Sequence, residues 1–141
     1  NIIVVDLSFA MLRQALNKKG LPSVCSKTES LPFDNNSFDR IVMVDALHHV
    51  YDQHLTAQEM WRLVKPGGRI IIEELNINVL SVKLIALFEK LALMRSKFFS
   101  PERIASFFPD KESQIRIENE RHNTWIIVDK QNYSKGSSNS G

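Results

Sequence analysis

The chain has 141 residues, enough for one domain of common size, and 43% of them are apolar, enough for a core. Its 18 basic and 16 acidic residues leave a net charge of +2, which carries no electrostatic footprint for nucleic acid. A single cysteine, Cys25, excludes an internal disulfide and a thiolate zinc cluster, and no long uncharged run is present to span a membrane, so the expected location is cytoplasmic.

Ile2 to Val5 form a short apolar run that ends at Asp6 and reads as a buried strand. Ser8 is placed to cap a helix N-terminus and Gly20 its C-terminus, with Met11, Leu12, Ala15 and Leu16 on one face between them. Val24 and Cys25 predict a second short strand, and a loop from Ser26 to Ser37 follows. Two β-branched runs come next, Ile41 to Val44 and Ile70 to Ile72, each after a turn signal: Asp34-Asn35-Asn36-Ser37 and Pro66-Gly67-Gly68. Between them Ala57, Met60, Trp61 and Val64 recur at helical spacing. Two strand–helix–strand crossovers predict a doubly wound α/β fold with a mostly parallel sheet. Neither run alternates with polar residues, so both strands are expected to be covered on both faces.

After Glu74 the pattern changes. Residues 79–99 are strongly apolar and are interrupted by Lys83, Glu89, Lys90, Arg95 and Lys97. Ser100-Pro101 predicts the start of a short helix carrying Ile104, Ala105, Phe107 and Phe108, and Pro109 its end. Ile115 to Glu118 and Trp125 to Val128 read as two strands, with Asn123 breaking the pattern between them. Residues 131–141 are polar and rich in Ser and Gly, the composition of a disordered tail. Trp61 and Trp125 fall on expected core faces and are assigned to packing.

Asp6 is the foremost candidate site residue. It stands at the C-terminal end of an expected parallel strand, the edge where open α/β sheets bind ligands. A carboxylate there can accept from both hydroxyls of a ribose, or it can serve only to cap the helix that follows. His48 and His49 are adjacent, so their side chains are expected to point apart, and no Cys or carboxylate stands at ligand spacing. No metal site is expected. His49 reads as structural, with a general-base role for either histidine as the alternative.

Taken together, Leu31-Pro32-Phe33, Ser37-Phe38-Asp39, Leu47-His48-His49-Val50, Glu59, Arg62-Leu63 and Lys65-Pro66-Gly67-Gly68 form an ordered set. The set resembles class I S-adenosylmethionine-dependent methyltransferases, in the small-molecule branch that includes the ubiquinone and menaquinone biosynthesis enzymes. The resemblance covers residues 2–129 and is strongest over 2–74. It implies a Rossmann-like domain over 1–130 with an antiparallel C-terminal edge hairpin. The corresponding insertion in the family, 75–100 here, acts as a lid over a lipophilic acceptor; the wide apolar face equally suits a core helix packed on the sheet, and the basic residues within 79–99 suit contact with a membrane surface.

The same resemblance assigns roles to residues. Asp6 and Leu7 match the ribose-binding strand end. Ser26 to Leu31 matches the adenine loop, but Lys27 stands where the family carries an acidic residue, and lysine cannot accept a hydrogen bond. Thr28 can still offer its backbone N–H, and Glu29 could supply the carboxylate. Val44 and Asp45 match the methionine end of the cofactor, with Asp45 either pairing with its ammonium group or capping a helix. The family's first strand and glycine-rich loop would precede Asp6, and none of the five glycines forms such a loop. The expectation is an N-terminally incomplete domain with two sheet edges open in its middle. The implied activity is methyl transfer from S-adenosylmethionine to a small, apolar acceptor. A non-catalytic partner-binding domain and another nucleotide-binding α/β enzyme are the alternatives.

Overall fold

The structure, a computed structural model, describes residues 1–76 and 97–132. All but the last three residues of the apolar segment 79–99 lie outside that range, as does most of the expected tail. No described helix is long and apolar enough to cross a membrane.

The first crossover is small. Strands β1 (Val4–Asp6) and β2 (Ser23–Cys25) pair in parallel, with Asp6 opposite Cys25, and helix α1 (Phe9–Lys19) connects them. Ser8 caps α1 as expected, its Oγ accepting from the Met11 N–H at 3.4 Å. Gly20, at φ 61°, ends it by donating its N–H to the Leu16 carbonyl. Of the apolar face expected on α1, Leu12 alone is buried; Met11 and Leu16 are 56% and 53% exposed. Two strands of three residues each offer the helix too little surface to cover the rest.

The second unit holds the core. Its sheet has the order β3-β4-β6-β5. Strands β3 (Phe38–Val44) and β4 (Val64–Leu75) run parallel, joined by a 3-10 turn at Leu47–His49 and helix α2 (Gln53–Leu63). Val64, expected on the helix, opens β4 and is fully buried. The pairing steps from Phe38↔Val64 to Arg40↔Arg69, so the residues from Lys65 to Gly68 form a bulge in β4. Helix α3 (Pro101–Ala105) begins at Ser100 as the Pro signal predicts. It stops before Phe107, and Phe108 reaches the core from the turn that follows. Strands β5 (Ser113–Glu120) and β6 (Asn123–Lys130) form the antiparallel hairpin, with β6 also pairing against β4. Asn123 does not break the pattern; it opens β6 opposite Glu120, and the turn falls at Arg121, φ 47°.

The expectation of two-sided cover is overturned. On β4, Ile70 and Ile72 are buried while Ile71 between them is only partly so, the period of a strand covered on one face. Helices α2 and α3 both pack on that face, against Ile126 and Val128 of β6. On β3, Val42 and Val44 are 58% and 53% exposed. The reason is pairing: β3 ends its sheet, so one side of it meets no strand among the described residues.

Candidate functional site

No hydrogen-bonded ladder joins β1 to β3 among the described residues, and a cleft of about 1890 Å³ opens there. Ligand pockets usually enclose about 300–1,000 Å³, and the excess reflects the unpaired edge of β3. Asp6 at the end of β1 and Leu7 just after it, Lys27 and Thr28 from the loop after β2, and Val44 from β3 all face this one space. Each belongs to the C-terminal end of a parallel strand or the loop after it, which is why residues so far apart in sequence meet.

Asp6 lies where the turn into α1 meets the cleft. Its Oδ1 accepts the Ser8 N–H at 2.7 Å, fixing the turn into α1, and the residue also forms part of the cleft wall. Thr28 Oγ1 and Thr56 Oγ1 lie 3.1 Å apart, tying the loop to α2. Lys27 is exposed on the wall. Glu29 sends one carboxylate oxygen to the Asp52 N–H at 3.1 Å, at the start of α2. Asp45 does not line the cleft. It is exposed at φ 47°, donates its N–H to the Glu73 carbonyl and caps no helix, since the 3-10 turn begins at Ala46 without a side-chain bond.

A second network holds the loop in shape. Glu59 Oε1 accepts the Leu31 N–H at 2.7 Å, and Arg62 bonds both Glu59 oxygens. Arg62 also donates to the Phe33 and Leu31 carbonyls and to Asn35 Oδ1. The Arg62 guanidinium, ahead of the opposing cost of burial, holds the Glu59 carboxyl below the usual glutamate range. A depressed folded value means stability that is present above the unfolded value, near 4.5, and is lost as pH falls through the folded one. Glu59→Gln should therefore lower the urea midpoint at neutral pH, and the deficit should shrink as pH falls below about 4.5. A deficit that is constant with pH would refute the charge-based clamp.

The sequence reading of the histidines needs correction. Their rings do not point apart: the centroids lie 3.9 Å from each other on the tight 3-10 turn. His48 also has a carboxylate partner, Glu74, at 2.6 Å from its Nδ1. Glu74's other oxygen accepts the Leu47 N–H at 2.7 Å. His48 and Glu74 are both buried, and Asp45 completes a group of ligand-capable atoms within 4.8 Å of one another. Both Glu74 oxygens and His48 Nδ1 are already engaged, so the group reads as a hydrogen-bonded pair with an outlying carboxylate. Spacing along the sequence hid it, because the partner comes from 26 residues away. The available signal was strand period: Glu74 follows Ile70 and Ile72 on the buried side of β4, and an acid there needs a partner. The reading also passed over Tyr51 and Leu55, which line the cleft together with His49.

Residues 1–72 match the family described as methyltransferase domain. Among curated relatives, the ubiquinone/menaquinone biosynthesis C-methyltransferase UbiE of Coxiella burnetii is 36% identical over 80 residues, covering 52% of this chain and 32% of that one. The demethylmenaquinone methyltransferase of Corynebacterium urealyticum is 33% identical over 78 residues, covering 55% and 34%. The matched part thus spans about a third of these relatives' length. Among solved structures, a SAM-dependent methyltransferase of Thermotoga maritima, a possible histamine N-methyltransferase, superposes with a TM-score of 0.76 at 21% identity, covering 90% of this chain and 72% of that one. A putative methyltransferase of Haloferax volcanii, solved with its Trm112 activator, gives 0.78 at 15% identity, covering 92% and 72%. At such identities the likeness is one of fold: these are Rossmann-like chains.

Proposed function

Because the chain belongs to the methyltransferase domain family, we propose that its cleft takes S-adenosylmethionine and that the intact protein transfers the methyl group to a small, apolar acceptor. The observation that carries this reading is the convergence of Asp6, Thr28 and Val44 on one cleft at the C-terminal strand ends. The relatives' part in ubiquinone and menaquinone biosynthesis, and the exposed Val42, Val44, Tyr51 and Leu55 along the cleft, support an apolar acceptor.

The residues present fit most of the cofactor. S-adenosylmethionine supplies a methyl group on a positively charged sulfur, open to attack by a nucleophile. Asp6 offers a carboxylate to the ribose hydroxyls, already oriented by its bond to the Ser8 N–H. Thr28 is held against α2 through Thr56, which fixes the backbone beside it for the adenine ring. Lys27 does not fit the adenine amino group, and Glu29 is turned to Asp52, so recognition there falls to backbone. The apolar wall keeps water away from the sulfur end, and alignment of nucleophile and methyl does most of the chemistry.

Asp6→Ala in the intact protein should weaken S-adenosylhomocysteine binding by about 10-fold or more, or roughly 1.4 kcal/mol. The melting temperature should change far less, since one cap is worth about 1 kcal/mol. Calorimetric titration beside a thermal melt checks both. Unchanged affinity would remove Asp6 from the site and leave the cleft reading without its anchor.

A further inference from the structure

The second sheet ends in an open strand on the side away from the cleft. Strand β5 pairs with β6 and with no other strand among the described residues. Its outer edge presents backbone N–H and C=O groups, a template for a further strand. It lacks the Pro, the Lys and the bulge that usually protect such an edge. Ser113 to Glu120 contain neither residue, and the ladder with β6 runs from Ser113↔Lys130 to Glu120↔Asn123 without a break in register. The face that β5 turns to the core carries Ser113, Ile115, Ile117 and Asn119, none of them charged.

A groove lies beside this edge. Ile115 and Ile117 are only partly buried, and with Glu102, Ala105, Ser106 and Asp110 they line a hollow of about 400 Å³. On the opposite face Gln114, Arg116, Glu118 and Glu120 are exposed. Arg116 reaches Asp129 at 3.5 Å, but the two Asp129 oxygens already accept from Arg69 at 2.5 and 3.1 Å. The Arg116 charge is therefore incompletely matched within the chain. Glu118 has no hydrogen-bond or ion-pair partner among the described residues.

We propose that the edge of β5 is an interface for a second copy of this chain, whose own β5 pairs with it antiparallel about Ile117. Charge complementarity selects both the partner and the register. In an antiparallel ladder alternate residues turn their N–H and C=O outward, so a strand pairing with itself must centre on a residue. Centred on Ile117, Arg116 stands opposite Glu118 of the second copy, and Glu118 opposite its Arg116. Ile117 meets Ile117, and Gln114 meets Glu120. Centring one residue earlier sets Arg116 against Arg116, and one residue later sets Glu118 against Glu118. Like charges directly opposite are destabilising, so both neighbouring registers are disfavoured. Opposed side chains share a face of the sheet, so Asn119 and Ile117 of the second copy come to lie beside Ile115 and Ile117 at the rim of the groove. The contact is two-fold and closes on itself, giving a dimer rather than a fibre. No β5 residue lines the cleft, so the proposal stands apart from the cofactor reading. Joined in this way, the two four-stranded sheets form one continuous sheet with a cleft at each end.

Sedimentation velocity on the intact protein, across a concentration series, tests this. The wild-type protein should dimerise. Arg116→Glu and Glu118→Arg each turn two attractive cross-pairs into two repulsive ones, so each should weaken the dimer by about 10-fold or more. Mixing the two single variants should restore it, because every opposed pair is then again of unlike charge. A role of either residue within its own chain would not produce that rescue. Should Arg116→Glu fail to melt cooperatively, beside Asp129 as it is, Glu118→Arg decides alone: it should be monomeric while melting like the wild-type protein. A wild-type protein that stays monomeric up to about 100 μM would overturn the proposal. So would a dimer that Glu118→Arg leaves intact, or two folded single variants that stay monomeric when mixed.

Discussion

Gly68→Ala should lower stability by about 3 kcal/mol or more, the upper range for forcing atoms into a packed site. A Cβ on Gly68 would stand 2.8 Å from the Asp39 carbonyl oxygen, 2.8 Å from Val64 Cγ2 and 2.9 Å from the Lys65 carbonyl oxygen. Two of these are backbone atoms, one on β3 and one on β4, so relief requires the strands to separate at the bulge. The neighbouring Gly67→Ala is the internal control. Its Cβ would meet only the flexible Asn132 side chain, and its φ of 79° adds a left-handed penalty of about 1–2 kcal/mol. Gly68→Ala should therefore be the worse of the two, by roughly 10 °C in melting temperature against the wild-type protein. Equal effects would mean that the bulge tolerates rearrangement and that close approach is not what Gly68 provides.

Ile72→Ala should cost about 2–5 kcal/mol, whereas Val42→Ala should be close to neutral. Ile72 is fully buried, packed where β4 meets Ile126 of β6 beneath α2 and α3. Its truncation leaves a cavity that surrounding backbone cannot close. Val42, of like chemistry and on the strand next to it, is 58% exposed at the cleft. Chemical denaturation of both variants measures the difference. A loss of several kcal/mol at Val42 would show that its outer face is covered in solution, contrary to the one-sided sheet.

What could be read from the sequence was whatever depends on near neighbours. Ser8, Gly20 and Ser100-Pro101 announced helix ends because a cap acts within one turn. Asp6 and Val44 could be placed at strand ends because their apolar runs stop there. The exposure of Val42 could not be read, since burial of a strand depends on what pairs with it rather than on its own composition. The clamp is a middle case. Glu59, Arg62 and Leu31-Pro32-Phe33 stood out as a set, but that Arg62 reaches three residues of the loop is a fact of packing. Glu74 carried a signal in its strand phase, but its partner His48 lies 26 residues away, beyond the reach of local spacing.

The division into two sheets has a thermodynamic consequence. No hydrogen bond among the described residues ties residues 1–25 to residues 38–132; the loop between them makes the connection, through Thr28, Glu29 and Leu31. The β1–α1–β2 unit can then open without melting the larger sheet, and its amides should exchange with deuterium at rates set by that local equilibrium. Asp6 rides on the unit that opens, and Val44 on the part that does not. A ligand spanning both binds only the closed population, and its measured affinity is diluted by the fraction of molecules found closed. Mutations in α1 that touch no ligand would on this account tune affinity by shifting that fraction, with exchange rates at β1 moving in step.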